Sequence, residues 1–192
     1  MCGRYYVDEN VMNELRYIIH GMDKNMKLEP EDVCPAQTAY VLSGKKPFLT
    51  PERMRWGYPQ YQGKGLVINA RAENVLERKM FRDSVLHRRC VIPAGFFYEW
   101  DSSKNRVEFR RGDMPVLFMA GFYQRFEDMD HFIIITTEAN ASVAPVHDRM
   151  PLILEKDELE NWVYDDGFLS YALHREPAAL DRRQDYEQLR LF

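Results

Sequence analysis

The chain has 192 residues, 45% of them hydrophobic and 13% aromatic, and a formal net charge of -4. That length holds one ordinary domain with a sizeable core, and the composition excludes a disordered chain. The longest apolar run, Phe132-Ile133-Ile134-Ile135, is too short to cross a bilayer, and the N-terminus lacks the basic and apolar regions of a signal peptide, so a cytoplasmic protein is expected.

In chain order, the spacing predicts a first helix over 8–20, with Asp8 as its cap, Val11, Leu15, Ile18 and Ile19 on one face, and Gly21 as its stop. Short β-branched or aromatic runs follow at 39–42 and 66–68. A second helix is predicted over 73–87, with Val75, Leu76, Met80, Phe81 and Leu86 on a broad apolar face. Strands are then expected at 89–92, 96–100, 107–110, 116–123 and 131–137, and a third helix at 156–164 around Leu159, Trp162 and Val163. So many consecutive strands do not fit a regular βαβ repeat. The fold class is α+β, a single domain whose mixed or antiparallel sheets form a barrel-like core with a few peripheral helices. The domain is expected over 1–180, with 181–192 as an exposed C-terminal tail.

The three cysteines, Cys2, Cys34 and Cys90, make an odd count with no CxxC pair, which argues against a disulfide framework or a zinc ribbon. His87 and Cys90 stand at HxxC spacing but lack a second pair, so no metal and no other cofactor is expected. The net charge is not that of an overtly basic nucleic-acid binder. Acidic residues gather at 155–166, however, whereas Arg4, Arg53, Arg55, Arg71 and Arg149 lie in or near motif-like stretches, which allows a basic groove on an acidic body.

Cys2 directly follows Met1, and aminopeptidases remove Met before a small second residue. The exposed residue would carry two nucleophiles, an α-amine with a reference pKa of about 8 and a thiol near about 8.5. Such a 1,2-aminothiol condenses with an aldehyde to a thiazolidine, which an internal cysteine cannot do. On position alone, the reading of Cys2 as a small buried hydrophobe prevails. Four further stretches are rich in chemistry-bearing side chains. They are Ile68-Asn69-Ala70-Arg71-Ala72-Glu73, Phe97-Tyr98-Glu99-Trp100, Thr136-Thr137-Glu138-Ala139-Asn140 and His147-Asp148-Arg149-Met150-Pro151. Each has a structural reading when taken singly: Asn69 as a helix cap, Glu99 as an outward strand residue, His147 as a satisfied loop histidine.

Together, Met1-Cys2-Gly3-Arg4-Tyr5, Arg55-Trp56-Gly57, Asn69-Ala70-Arg71-Ala72-Glu73, Arg89-Cys90-Val91-Ile92-Pro93-Ala94, Phe97-Tyr98-Glu99-Trp100 and His147-Asp148-Arg149-Met150-Pro151 resemble, in order, the motifs of the SOS response-associated peptidase (SRAP) family of abasic-site-processing proteins. The resemblance implies capture of the C1′ aldehyde of an abasic site in single-stranded DNA as a thiazolidine crosslink to Cys2, during the DNA damage response. It implies Asn69 as the amide that orients Cys2, Glu99 as the carboxylate supporting ring opening and proton transfer, and His147 as the histidine that stabilises the opening sugar and the imine. The chemistry asks for such groups independently. Carbinolamine dehydration needs an acid–base near neutrality, as a histidine is. A carboxyl among aromatics can be desolvated into a proton shuttle. An amide can hold an amine without protonating it.

For DNA binding, Arg4, Arg71 and Arg149 suit phosphate contacts, Trp56 suits base stacking, and Pro35 stands in a loop that resembles one beside the family's site. Phe81 reads as core. Two departures from the family pattern stand out: Gly95 falls one place early, with Phe96 where a glycine is expected, and Tyr58-Pro59-Gln60-Tyr61 replaces an aliphatic-Pro-x-Trp run. At the far end, Gln188-Leu189-Arg190-Leu191-Phe192 resembles the Gln-Leu-x-Leu-Phe peptide by which bacterial proteins dock on the replicative sliding clamp, against the plain reading that Leu189, Leu191 and Phe192 pack on the core. The protein is expected to act as a monomer, associated with the nucleoid when on DNA. The competing readings are an N-terminal-nucleophile peptidase, including self-removal of Met1, and a passive single-strand binder.

Overall fold

A computed structural model describes residues 2–19, 22, 27, 29–44, 47–61, 63–127 and 129–184. The chain runs through β1 (Tyr5–Val7), α1 (Glu9–Ile18), β2 (Glu31–Val33), β3 (Thr38–Ser43), β4 (Thr50–Trp56), β5 (Tyr58–Pro59), β6 (Leu66–Val67) and β7 (Asn69–Arg71). A 3-10 turn (Ala72–Asn74) leads to α2 (Lys79–His87), β8 (Arg89–Ala94), β9 (Phe96–Trp100), β10 (Arg106–Arg110), β11 (Leu117–Phe126) and β12 (Met129–Glu138). The last elements are β13 (Arg149–Pro151), β14 (Ile153–Leu154), a 3-10 turn (Lys156–Glu158), α3 (Leu159–Tyr164), α4 (Asp166–His174) and β15 (Asp181–Gln184).

Strands β12, β4, β3, β8 and β11 pair in that order, and β11 pairs back onto β12, which closes a five-stranded barrel. Closure removes the open edges that a flat sheet would expose. The pairings of β12 with β4 and with β7 are parallel, and the other pairings of the barrel are antiparallel. A second sheet, ordered β15-β10-β9-β1-β2, carries the N-terminal segment. The α+β class and the barrel-like core expected from the sequence are what the structure has. Among the described residues, no helix is long and apolar enough to cross a membrane.

Successive side chains of a strand point to opposite faces, and here the two faces feed two cores. Ile133, Ile135, Phe118 and Phe122 join Val11, Leu15, Val85 and Trp162 from the helices, whereas Phe132, Ile134, Leu117 and Met119 join Cys2, Tyr5, Phe97 and Val107 from the second sheet. Gly121 permits the close crossing of β11. A Cβ there would sit 2.4 Å from Ile92 Cδ1 and 2.6 Å from the Ile133 carbonyl oxygen. Arg89 is buried as well. Its guanidinium donates to the carbonyls of Val85 (3.2 Å), Leu86 (2.9 Å) and Trp162 (2.5 Å) and to Asp166 Oδ1 (2.8 Å), so it ends α2 and ties it to α3 and α4 without an unmet donor on those arms.

Asp8 caps α1 as expected, its Oδ1 accepting from the amides of Asn10 (2.9 Å) and Val11 (3.2 Å). Gly21 lies outside the described residues. The continuous helix expected over 73–87 is interrupted. The amides of Glu77 and Arg78 both turn back to Asn74 O (3.1 and 3.2 Å), Arg78 adopts an extended backbone (φ -77, ψ 114), and only then does α2 begin. Phe81 is core and Met80 is 43% exposed. The region from 181 is not simply tail. Asp181–Gln184 forms β15, paired antiparallel with β10, because a backbone ladder needs no apolar pattern. Residues 185–192 lie outside the described residues.

Candidate active site

The N-terminal segment enters the second sheet beside β9, with Tyr5 opposite Phe97 and the Tyr98 amide donating to Arg4 O (3.0 Å). Continuing that antiparallel register sets Gly3 opposite Glu99 and Cys2 opposite Trp100. Cys2 is fully buried, and its thiol donates weakly to Arg4 O (3.8 Å). Burial above all, and then the charge of Glu99, push the Cys2 thiol well above its ordinary range. Glu99 is 3% exposed. Burial raises its carboxyl pKa, and His147 works in the opposite direction.

Asn69 opens β7, held parallel to β12 with Ile134 as its register partner. Its Nδ2 donates to the Cys2 carbonyl oxygen (2.9 Å), while its buried Oδ1 has no hydrogen-bond partner among the described residues. His147 follows a turn in which its own amide donates to Val143 O (3.1 Å), and its Nδ1 accepts from the Arg149 amide (2.9 Å). Of the four residues expected to act together, Asn69 is bonded to Cys2, and Glu99 acts electrostatically on Cys2 and is itself acted on by His147.

Two of the expected DNA-binding residues are placed differently. Trp56 is 0% exposed, so its ring offers no face for stacking. It lies between Tyr5 (centroids 5.3 Å) and Phe132 (6.1 Å), and its indole N–H donates to Ile68 O (3.0 Å). The Arg-Trp-Gly motif packs against the N-terminal strand through Trp56 and Tyr5. The backbone of Trp56 exchanges hydrogen bonds with Gln37 O and the Ala36 amide (both 2.9 Å), which fastens the Pro35 loop. Gly57, at φ +104, takes the turn that follows, a conformation most side chains resist. Arg149 is 7% exposed and does not reach outward. It forms a two-pronged pair with Glu73 (2.7 and 2.8 Å) and donates to Thr136 O (2.7 Å), joining the segment after Asn69 to the segment after His147.

Of the others, Arg71 is exposed, and Arg4 and Pro35 are partly exposed. Phe96, where the family pattern has glycine, carries no backbone strain. Neither Gly95 nor Phe96 has a positive φ, and Phe96 continues β9 with its ring stacked on Tyr6 at 4.6 Å. In the altered loop after Gly57, Tyr58 turns inward and Tyr61 is 94% exposed. Sequence reasoning passed over Trp100, which is 39% exposed with the Arg4 guanidinium over its ring at 5.7 Å. Strand alternation was the available signal: if Phe97 and Glu99 face in, Trp100 faces out. A cleft of about 450 Å³ continues from the site, lined by Asn69, Arg71, Arg78, Lys79 and Met80 among others. Gln188, Leu189, Leu191 and Phe192 lie outside the described residues.

Comparison with known proteins agrees with this arrangement. Residues 1–186 match the family described as SOS response associated peptidase (SRAP). The abasic site processing protein YedK of Escherichia coli is 26% identical over 176 residues, which cover 85% of this chain and 79% of that protein. The abasic site processing protein YoaM of Bacillus subtilis is 30% identical over 181 residues, with 85% and 79% covered. The crystal structure of a phage-related protein of Bordetella bronchiseptica superposes with a TM-score of 0.79 at 20% identity, over 96% of this chain and 94% of that one. A structure from Bacteroides thetaiotaomicron gives 0.77 at 20% identity over 97% and 94%. With the family model matched over residues 1–186, the chain belongs to the SRAP family.

Proposed function

We propose that this chain captures abasic sites in single-stranded DNA through a covalent bond to Cys2, once Met1 is removed, and so shields the lesion during the DNA damage response. The observation that carries this reading is the amide of Asn69. Its Nδ2 holds the Cys2 carbonyl and its buried Oδ1 is left over. A buried acceptor without a donor is costly, and the freed α-amine of Cys2 is a donor within the same residue pair. The relatives named abasic site processing proteins support the substrate class.

The order of attack follows from burial. The thiol, pushed up in pKa, is a poor first nucleophile, so the amine adds to the C1′ aldehyde of the ring-opened sugar. The carbinolamine gains a proton on oxygen, loses water and leaves an imine. The sulfur then bonds to the imine carbon while the thiol proton passes to nitrogen, which closes a thiazolidine with one water released overall. Glu99 keeps its proton to higher pH than a free glutamate, so together with His147 it can pass protons at each step. Exposed Arg71, Arg78 and Lys79 along the adjoining cleft offer cations to the strand's phosphates. Intact mass spectrometry after mixing with a single strand containing one abasic site tests the proposal. A stable adduct should form with that strand and not with an undamaged one. Absence of an adduct from protein confirmed to begin at Cys2 refutes it.

The terminal peptide Gln188-Leu189-Arg190-Leu191-Phe192 is proposed to dock on the sliding clamp. Its match to the Gln-Leu-x-Leu-Phe pattern supports this. Gln184, the last described residue, pairs with Val107, which in turn pairs with Glu99. Deleting 188–192 is expected to abolish clamp binding in a pull-down while capture of an abasic oligonucleotide proceeds at the wild-type rate. Clamp binding that survives the deletion removes the docking proposal.

A further inference from the structure

His147 Nδ1 has two claimants. The Arg149 amide donates to it at 2.9 Å, and Asp148 Oδ1 lies 2.9 Å from it. One ring nitrogen cannot serve both at once. An amide needs the Nδ1 lone pair, whereas a carboxylate needs an Nδ1 proton. The loop itself is fixed, since the Asp148 carbonyl accepts from the Ala139 amide (3.0 Å) and the His147 amide is tied to Val143. The two contacts therefore describe two protonation states of one ring in one place.

Taking His147 as a proton-transfer group, as proposed above, we infer that Asp148 is a positioning residue that determines where the His147 ring holds its protons. In the resting neutral ring, Nδ1 accepts from the Arg149 amide and the single proton sits on Nε2. When the ring takes up a second proton, Nδ1–H turns to Asp148 Oδ1. The imidazolium can then give its Nε2 proton to the departing carbinolamine oxygen, water leaves, and the ring is left neutral with its remaining proton on Nδ1 against Asp148. Proton count and charge balance at each step. Without the carboxylate, that product tautomer would set Nδ1–H against the Arg149 N–H. Among the described residues, charged groups acting on the ring include Asp148 on its own loop and Glu99 from β9, whose titration responds to both His147 and Asp148. The Arg149 guanidinium is turned away to Glu73 and Thr136. The Asp148 side chain is 84% exposed, so its replacement should leave the fold intact.

The test joins nitrogen-15 spectra of the His147 ring with the pH profile of adduct formation, in wild type, Asp148→Asn and Asp148→Glu. In the Asn variant the share of rings carrying a proton on Nδ1 should fall by about two- to fivefold, as fits an exposed ion pair. The capture rate should fall by the same factor on the limb that His147→Gln removes, and be unchanged on the acid plateau, with DNA affinity untouched. Asp148→Glu should restore both. Identical ring spectra in wild type and Asp148→Asn overturn the inference whether or not the protein captures DNA. A shifted ring in a protein that forms no adduct leaves the inference standing and removes the proposed function instead.

Discussion

Cys2→Ala is expected to lose the stable DNA adduct completely. Alanine is small enough for Met1 to be removed, so the variant still presents an α-amine beside Asn69. That amine can form an imine with an abasic aldehyde, but no sulfur is present to close the ring, and the imine hydrolyses. Borohydride should therefore trap an adduct from the variant, while the wild type needs no reductant. The expected loss is of chemistry rather than of fold. A buried cysteine behaves as a small hydrophobe, and Cys2→Ala should cost about 1 kcal/mol, a shift of a few degrees in Tm. Binding to undamaged single strands should be retained. A stable adduct from Cys2→Ala without reductant would falsify the thiazolidine scheme, and so would a wild-type adduct that dissociates on denaturation. The peptidase reading makes the opposite demand, since cutting an amide requires the thiol and would be indifferent to the aldehyde.

The parts of this molecule that were legible in the sequence are those in which information is local. Asp8 and its helix and the apolar runs of β11 and β12 follow from near neighbours. Strand β4 was missed because its sequence, Thr50-Pro51-Glu52-Arg53-Met54-Arg55-Trp56, is charged and broken by proline. Pairing with β3 and β12 makes it a strand, and only Met54 and Trp56 need burial. Arg149 was misread for a related reason. An arginine in a loop motif looks available to phosphate, but its partner Glu73 lies 76 residues away and no spacing announces the pair. Asn69 looked like a helix cap because the following stretch has helical periodicity. The chain instead makes a 3-10 turn there, and the amide is free to face Cys2, 67 residues earlier. Chemistry-bearing residue types could be read from the motifs, whereas their partners were set by a closed barrel that brings distant segments together.

The two tryptophans separate support from contact, and substituting each should give opposite results. Trp56→Ala removes a fully buried ring that packs between Tyr5 and Phe132, and leaves Ile68 O without its indole donor. Large-to-small changes of this kind cost about 3–5 kcal/mol, which at this size lowers Tm by roughly 6–20 °C. Capture should fail in proportion to unfolding, because Tyr5 continues directly into Arg4 and Cys2, and because the Pro35 loop hangs from the Trp56 backbone. Trp100→Ala should do the reverse. Its ring is partly exposed at the end of β9 and fills no core, so Tm should stay within a degree or two. Its face, with Arg4 above it, is the surface that a base flanking the lesion can meet, and losing one stacked base weakens single-strand binding by about 1–3 kcal/mol, or roughly five- to 150-fold in Kd. Adduct formation at saturating DNA should then remain near the wild-type rate, since Cys2, Glu99 and His147 are untouched. The decisive comparison is Tm against Kd in the same pair of variants. If Trp56→Ala kept its Tm and lost DNA affinity while Trp100→Ala bound normally, then Trp56 would be the stacking residue after all, and the site would have to open to present it.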